Sequence, residues 1–183
     1  YLPFLEEEIE LSHQQRWTPF AERANFMFIG NFIHEPNWHT VQRLKTSIWP
    51  ALRKLLPTAE LHIYGAYATA KVQQLHKPQE RFFIKDRADD ARATLQQYRL
   101  LLAPIAFGAG AKGKFIDAMQ AGTPSVSSSI GAESMTTDGR WGGAIEDDDT
   151  AFVQQAAALY SDSQRWQQAQ QQGGLLLNSH YSR

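Results

Sequence analysis

The stretch that decides the fold reads Gly108-Ala109-Gly110-Ala111-Lys112-Gly113-Lys114-Phe115-Ile116-Asp117. It follows the apolar run 100–103, which predicts a buried strand, and it leads into an apolar periodicity over 112–121, which predicts a helix. A glycine-rich loop between a strand and a helix offers free backbone N–H groups and the positive end of the helix dipole, and both attract anions. The loop 108–114 is therefore predicted to hold a phosphate.

Several readings of this loop compete. Over 108–113 it fits the dinucleotide fingerprint G-x-G-x-x-G, and Glu133 lies twenty residues beyond that pattern. Over 108–114 it nearly fits the P-loop G-x-x-x-x-G-K, but Phe115 stands where Ser or Thr would hold magnesium. Both motifs usually open the first strand–helix unit of a domain, whereas this loop follows three earlier strand candidates. A glycine-rich turn that carries two solvated lysines is the remaining alternative.

Strand and helix patterns alternate along the chain. The predicted strands are 26–29, 61–65, 81–84, 100–103, 125–127 and 144–145. The predicted helices are 36–56 with a kink or break at Pro50, 68–75, 89–97 with Asp89 or Asp90 as its cap, 112–121, 151–160 and 163–172. This alternation predicts an α/β fold, a Rossmann-like parallel sheet with helices on both faces.

Ligands of such sheets bind beyond the carboxyl ends of the strands. Gly30, Gly65, residues 84–85, the loop 108–114 and the segment 127–133 each follow a predicted strand. We therefore expect these five places to lie along one rim of the sheet.

Composition narrows the function further. The chain has 183 residues, 43% of them hydrophobic, and a net charge of −1, which argues against a protein built to bind nucleic acid. It has no cysteine, so a disulfide framework and a thiolate zinc site are excluded. No apolar run approaches the roughly 18 residues of a bilayer span. A cytoplasmic protein is the expectation.

The first 25 residues differ in character from the rest. They are mixed and polar, and Pro3 and Pro19 interrupt them. We expect residues 1–25 to be a linker or edge segment from a preceding domain, and residues 26–183 to form the ligand-binding α/β domain.

Two further clusters have simple explanations. The sequence from His34 to His39 resembles a zinc-protease motif, but it has one residue too many between the histidines, and Pro36 breaks the required helix. His34 could still contact a ligand from the loop after the first strand. The acidic run 147–149 precedes a predicted helix, where carboxylates favour the helix dipole, so it is interpreted as a cap.

Two carboxylates near the loop keep two interpretations each. Asp117 lies three residues after Lys114, so the two side chains could pair on the helix surface. Asp117 could instead face the cleft, where a carboxylate accepts hydrogen bonds from sugar hydroxyls. Glu133 is either a solvated loop residue or a binding residue on the rim.

Taken together, several motifs resemble the C-terminal, donor-binding domain of GT-B glycosyltransferases, the group-1, family-4-like transferases that include many retaining enzymes. The resemblance covers residues 26–160, and its specific part is 108–133. The motifs that carry it are Phe28-Ile29-Gly30-Asn31-Phe32, Leu102-Ala103-Pro104, the loop 108–114, Asp117-Ala118-Met119, Gly122-Thr123-Pro124 and Gly131-Ala132-Glu133.

The resemblance implies a nucleotide-diphosphate sugar as donor. It would place the diphosphate near Gly110 and the helix start, the ribose on Asp117 and the base on the backbone near 84–85. The donor-binding residues implied in this way are Gly30, Asn31, Lys85, Gly108, Gly110, Lys112, Lys114, Asp117 and Glu133. No bound metal or other cofactor is expected, because basic side chains and the helix dipole stabilise the leaving diphosphate. No catalytic residue is assigned.

This chain departs from the family pattern at two places. Many members have paired glutamates, whereas this chain has Ala109 at the first position and the shorter Asp117 at the second. Many members have a basic residue in the first loop, whereas this chain has Asn31. The charge of a diphosphate would therefore rest mainly on Lys112 and Lys114.

The family also has an N-terminal domain that binds the acceptor, in some members at a membrane surface. The chain is too short for both domains, so the resemblance implies half of an enzyme that transfers a sugar, inactive alone. Two other functions stay open: a nicotinamide-dinucleotide-binding oxidoreductase domain, supported by the glycine pattern, and a non-enzymatic α/β binding module.

Overall fold

A computed structural model describes residues 4–136 and 138–182, and within them six parallel strands form one sheet with helices packed around it. The strand order is β3-β2-β1-β4-β5-β6. The strands are β1 (Phe26–Ile29), β2 (Leu61–Tyr64), β3 (Phe82–Ile84), β4 (Leu100–Ala103), β5 (Ser125–Ser127) and β6 (Gly143–Ile145). Each predicted strand is present, and the predicted α/β, Rossmann-like fold is confirmed.

The helices agree less closely with the predicted bounds. In the described residues they are α1 (Leu11–Gln15), α2 (Glu35–Arg43), α3 (Trp49–Leu55), α4 (Ala70–Gln73), α5 (Ala91–Leu95), α6 (Gly113–Gln120), α7 (Ser129–Ala132), α8 (Asp149–Ser161) and α9 (Ser163–His180). Short 3₁₀ turns lie at Phe20–Glu22 and Pro78–Glu80. The helices α1 and α7 are additional to the prediction, and α9 continues well beyond residue 172.

Burial explains the order of the strands. All four residues of β4 and the first three of β1 are fully buried, as expected for strands in the middle of a parallel sheet with both faces covered. In β2, Leu61 and Ile63 are buried, and the residues that alternate with them are half-buried. The continuous apolar runs therefore take the central places.

The predicted break at Pro50 takes the form of a π turn. A proline inside a helix lacks the N–H group, and its ring clashes with the carbonyl four residues earlier. Residues Leu44–Ile48 form a π turn between α2 and α3, and Pro50 lies in the first turn of α3. Such a turn widens the helix, so the chain passes the proline without ending the helical stretch.

The segment before β1 packs against the domain. Ile9 and Trp17 are buried in the core, and Trp17 Nε1 donates a hydrogen bond of 2.8 Å to the carbonyl of Gln120. Residues 4–25 are thus part of the folded unit formed with 26–182, and residues 1–3 lie outside the described residues. The origin of 1–25 in a preceding domain stays a prediction.

A buried arginine ties this segment to the domain. The Arg23 guanidinium donates to the carbonyls of Thr18 at 2.7 Å and Ala121 at 3.0 Å, and to Thr123 Oγ1 at 2.7 Å. It also lies 5.0 Å from the centre of the Trp166 ring. Burial lowers the pKa of Arg23 to about 10, because the charged form loses its water. The carbonyl groups and the aromatic ring around the guanidinium stabilise the charge in place of that water.

The extension of α9 has a tertiary cause. The helix was predicted over 163–172, but it continues through the glycine pair 173–174 to His180. A Cβ atom built at Gly142 would lie 2.6 Å from Gly173 Cα, so the helix backbone passes directly over the start of β6. Here glycine permits a close approach of two backbones, which local sequence patterns do not distinguish from a helix end.

We expect Gly142→Ala to lower the free energy of unfolding by about 2–3 kcal/mol, because the new methyl group must push α9 away from the sheet. Gly174→Ala is the matched control. Its Cβ would meet only Trp17 at 3.9 Å, and alanine favours a helix by about 0.5–1 kcal/mol over glycine. Urea denaturation should therefore give shifts of opposite sign, and equal shifts would contradict the close approach.

Candidate ligand-binding site

The sheet has a topological switch point between its two central strands. The strand β1 pairs with β2 on one side and with β4 on the other, and the chain continues outward in both directions from there. In open parallel sheets the crevice beyond the carboxyl ends of such strands receives the ligand. The loops that follow β1 and β4 border this crevice, and the second of them contains the stretch 108–114.

Two adjoining cavities of about 420 and 410 Å³ occupy the crevice. The first is lined by residues that include Gly30, Asn31, Gly65, Arg87 and Asp117, and the second by residues that include Phe107, Gly108 and Lys112. Both cavities are lined by His34, Asn37, Gly113 and Lys114. We refer to the two together as the rim groove.

The floor of the rim groove is made of closely packed backbone. A Cβ atom at Gly65 would lie 2.2 Å from the carbonyl oxygen of Gly30, and one at Gly30 would lie 2.5 Å from the side chain of Asn37. Glycine at both positions therefore lets the loops after β1 and β2 approach each other and the start of α2. The structure thus places Gly30 and Asn31 in the groove.

Lys114 lies between the two cavities. Its Nζ atom donates to Asn37 Oδ1 at 3.1 Å and lies 5.1 Å from the centre of the Phe28 ring. Asn37 is itself fixed, because its Nδ2 atom donates to the carbonyl of Asn31 at 2.7 Å. Burial, and then the charge of Lys112, lower the pKa of Lys114 to about 8. Such a cation is stabilised by an anion in the groove.

The glycine loop itself is held in a special backbone conformation. Gly108 has φ +119° and Gly110 has φ +80°, a region that side chains rarely allow. Lys112 closes the loop, since its Nζ atom donates to the carbonyl of Gly110 at 2.7 Å. Burial lowers the pKa of Lys112, although the nearby charge of Glu133 opposes this effect.

Helix α6 begins where this loop ends. Lys112 occupies its cap position, and within the described part of the chain no side chain accepts a hydrogen bond from its first turn. The first N–H groups of a helix have no partner inside it, and they carry the positive end of the dipole. Gly113 and Lys114 both line the rim groove, so these N–H groups are available to an anion there.

Asp117 lines the same groove one turn further along α6. Its Oδ1 atom accepts a hydrogen bond from Arg92 Nε at 2.8 Å, and Arg92 Nη2 donates to Glu6 Oε2 at 2.9 Å. The surface pair between Lys114 and Asp117 is therefore not formed. The two side chains have separate partners: Lys114 bonds to Asn37 on α2, and Asp117 bonds to Arg92 on α5.

Two of the expected site residues lie outside the rim groove. Lys85 borders a separate cavity of about 380 Å³ at the edge strand β3, where the N–H group of Ile84 donates to His76 Nδ1 at 2.9 Å. Glu133 follows α7 and lines neither cavity of the groove, but its charge acts on Lys112. Six of the other expected residues line the groove: Gly30, Asn31, Gly108, Lys112, Lys114 and Asp117. Gly110 lines neither cavity, but its carbonyl accepts the hydrogen bond from Lys112.

The acidic run before α8 has structural partners. Asp148 caps the helix by accepting from the N–H group of Ala151 at 2.9 Å, which confirms the predicted cap. Asp147 accepts from the N–H and hydroxyl groups of Ser129, and Asp149 pairs with Arg43. Across residues 4–136 and 138–182, no three His, Asp or Glu side chains group in a way that could hold a metal ion.

Three residues of the site could not be assigned from sequence. Asn37 was placed at the start of the predicted helix 36–56 and was given no binding role, and Arg92 and Glu6 carried no motif. Arg92 reaches Asp117 across 25 positions through the packing of α5 on α6, and it reaches Glu6 across 86 positions because the segment before β1 packs on the domain. One feature of the sequence could have indicated Asn37: it is a polar residue beside a proline, at the start of the helix that follows the first strand.

In the described residues, no helix has the length and apolar character needed to cross a membrane. The model of one protein family, glycosyl transferases group 1, matches residues 23–162. Among curated proteins, none has significant similarity to this chain.

Solved structures share the fold at low sequence identity. A Staphylococcus aureus TarM variant in complex with fondaparinux, α-GlcNAc-glycerol and UDP has a TM-score of 0.74 and 13% identity over 100% of this chain and 36% of its own. Pneumococcal O-GlcNAc transferase GtfA, in complex with UDP and GlcNAc, has a TM-score of 0.67 and 15% identity over 97% and 35%.

A third structure is a domain of similar length. The C-terminal domain of the glycosyl transferase group 1 family protein LpcC from Francisella tularensis has a TM-score of 0.63 and 16% identity, over 94% of both chains. The present chain thus spans about a third of TarM and GtfA but nearly all of this isolated domain.

Proposed function

The chain belongs to the glycosyl transferases group 1 family, and from this premise we propose that it is the donor-binding domain of a GT-B glycosyltransferase that transfers a sugar from a nucleotide diphosphate to an acceptor. The observation that carries the proposal is Lys114, a half-buried cation beside the uncapped start of α6 in the rim groove. A diphosphate there would receive both N–H groups and a positive charge.

Each part of the donor has a candidate partner. The diphosphate would lie on the loop from Gly108 to Gly110 and the start of α6, with Lys112 and Lys114 supplying charge. The ribose hydroxyls would donate to Asp117, and the base would lie toward the edge of β3 near Lys85. Asn31 offers no charge, so the charge of the diphosphate would rest mainly on the two lysines, with Arg87 as a further cation that lines the groove. UDP is the first nucleotide to test, because the TarM and GtfA structures contain it.

We propose that no metal ion takes part in donor binding. Two lysines and the helix dipole would stabilise the leaving diphosphate, and the P-loop position that would hold magnesium is Phe115. UDP affinity measured with EDTA and with added Mg²⁺ should then agree within about twofold.

The remaining parts of the activity need a partner domain. The resemblance implies an N-terminal domain of the same protein that binds the acceptor, and transfer with retention of the anomeric configuration. Ile33 and Phe107 support a covering partner, because they are 65% and 41% exposed at the loops that border the groove. Anomeric analysis of the product made by the full-length protein tests retention, and assays with and without lipid vesicles test for an acceptor at a membrane surface.

Titration calorimetry of the chain with UDP, GDP and their sugars tests the proposed function. We expect one nucleoside diphosphate to bind and its monophosphate to bind more weakly, because the monophosphate lacks the second anionic group. Failure of every nucleotide to bind, both to this chain and to the full-length protein, would contradict the proposal.

The dinucleotide alternative has a weaker structural basis. The fingerprint requires the glycine loop to follow the first strand, but here it follows β4, while β1 is followed by a loop with Gly30 alone. Fluorescence titration with NADH is expected to show no binding. A non-enzymatic α/β module would bind none of the nucleotides either.

The pKa of Lys114 predicts how UDP affinity depends on pH. In the free chain this pKa is about 8, and a bound diphosphate favours the protonated amine and raises it. Binding therefore takes up a proton above pH 8, and affinity should fall by about tenfold between pH 7 and pH 9. The phosphate stays fully ionised in this range, since its last pKa is about 6. In Lys114→Met the fall should disappear, and its persistence would assign it to another group.

A further inference from the structure

Arg92 connects the candidate ribose-binding carboxylate with the N-terminal segment. Its Nε atom donates to Asp117 Oδ1 at 2.8 Å, and its Nη2 atom donates to Glu6 Oε2 at 2.9 Å. The guanidinium is planar and rigid, so two carboxylates bonded to two of its nitrogens fix the plane as well as the position of the group. Arg92 thus has one defined orientation between α6 and the segment before β1.

Glu6 is a firm anchor for this arrangement. Its N–H group donates to the carbonyl of Tyr181 at 2.7 Å, and its backbone forms a parallel bridge with Ser182. Its side chain is only 16% exposed, whereas the side chains of Asp117 and Arg92 are 33% and 44% exposed. The Glu6 end is therefore fixed to the body of the domain, and the Asp117 end faces the rim groove.

The arrangement has little value as a stabilising contact. Partly exposed ion pairs contribute about 0–1 kcal/mol to folding, because water already solvates both charges. What the pairing does fix is the torsion of the Asp117 carboxylate, which is otherwise broad in aspartate. An ionised carboxylate can accept about four hydrogen bonds. Within the described residues Arg92 is the one side chain bonded to it, so the remaining lone pairs can accept from a ligand.

We propose that Arg92, held by Glu6, is a positioning residue for the donor: it orients the Asp117 carboxylate to receive the two ribose hydroxyls. This inference rests on the proposed function. Arg92 also offsets the negative charge of Asp117 near the place proposed for the diphosphate. Both effects increase affinity for a nucleotide, but only the first depends on the hydroxyls, which provides the means to test it.

The test is calorimetry of the 183-residue chain with UDP and with 2′,3′-dideoxy-UDP; if the chain prefers GDP, the two guanosine compounds take their place. The variants are Arg92→Met, Arg92→Lys and Glu6→Gln. The control is Arg140→Met, which removes a surface pair with Asp138 away from the groove.

We expect Arg92→Met to weaken UDP about tenfold, the effect of losing one well-oriented charged hydrogen bond, and dideoxy-UDP by less than about threefold. Arg92→Lys should restore little of the loss, because an ammonium is a point charge that cannot hold both carboxylates in a fixed plane. Glu6→Gln should give a smaller loss that again depends on the hydroxyls. The control should match the wild type for both compounds.

Three outcomes would overturn the inference. Equal losses for UDP and dideoxy-UDP would mean that Arg92 acts only through its charge and does not orient Asp117 for the hydroxyls. Unchanged UDP affinity would mean that Arg92 has no role in donor binding. If neither the wild-type chain nor the full-length protein binds a nucleotide, the proposed function fails together with this inference; if only the full-length protein binds, the same comparison is made there. If Arg92→Met does not fold, Arg92→Lys and Glu6→Gln decide between the same outcomes.

Discussion

Lys114→Met is expected to weaken UDP binding about a hundredfold, the largest effect of any single change in the rim groove. The variant removes a charged hydrogen bond to the diphosphate from a half-buried position, where such bonds contribute about 1.5–3 kcal/mol. Methionine fills much of the same space, so the groove should keep its shape.

The same change should leave the fold intact. Burial lowers the pKa of Lys114 from 10.5 to about 8, which means that the charged amine is less stable in the folded chain than in the unfolded one. At pH 7 the lysine is protonated in both states, so this charge opposes folding. Relief of this charge offsets the hydrogen bond to Asn37 that the variant loses, so the free energy of unfolding of Lys114→Met should stay within about 1 kcal/mol of the wild type.

Two other lysines serve as comparisons. Lys112→Met should cause a smaller loss of UDP affinity, because Lys112 Nζ is already bonded to the carbonyl of Gly110. Lys54→Met, an exposed position on α3 remote from the groove, should cause none. Calorimetry measures affinity and urea denaturation measures stability. An unchanged UDP affinity in Lys114→Met would remove this lysine from the proposed site.

Arg23→Met is expected to lower the free energy of unfolding by about 3 kcal/mol, the largest effect on stability. The change leaves the buried carbonyl of Ala121 and the part-buried carbonyl of Thr18 without their donor, and an unsatisfied buried group costs about 1–3 kcal/mol. Methionine recovers part of this through apolar contacts in the space beside Trp166.

Arg16→Met is the control for Arg23→Met, because Arg16 is exposed in the same segment. Its effect should stay within about 0.5 kcal/mol. Urea unfolding curves of both variants, read by far-UV circular dichroism, decide the matter. If the two variants are equally stable, the hydrogen bonds of Arg23 do not hold the N-terminal segment on the domain.

The strands were predictable because strands that are buried on both faces of a parallel sheet appear in the sequence as continuous apolar runs. The run 100–103 is apolar throughout, since β4 has neighbours on both sides and layers on both faces. Turn residues mark where each run stops, so even the short strand Ser125–Ser127 was located. The rim of the sheet then followed from topology alone.

The elements that sequence reasoning missed depend on distant partners. Residues 1–25 were predicted to be a linker or edge segment, and nothing in the sequence indicated that Trp17 and Arg23 pack on the far end of α6, about a hundred residues away. Helix α9 continues through two glycines, the first of which lies against the backbone of Gly142. Hydrophobic periodicity records burial along one element and contains no information on which other element covers it.

In the candidate site, too, features that depend on local sequence were predicted, and contacts between distant residues were not. The backbone features, Gly30, Gly108, Gly110 and the start of α6, were predicted because they depend on local conformation. The partners of the charged side chains were not, since Lys114 bonds to Asn37 and Asp117 bonds to Arg92, each on another helix. The roles of these side chains in donor binding stay predictions until nucleotide affinities are measured.

The bridge between Glu6 and Ser182 brings the two ends of the described chain side by side. Because the two ends lie side by side, a short linker could join them without crossing the sheet. New chain ends could then be introduced at the exposed turn 57–58. This turn precedes β2, so it lies at the amino ends of the strands, whereas the rim groove lies at their carboxyl ends. Such a circular permutant should keep all six strands and both cavities intact.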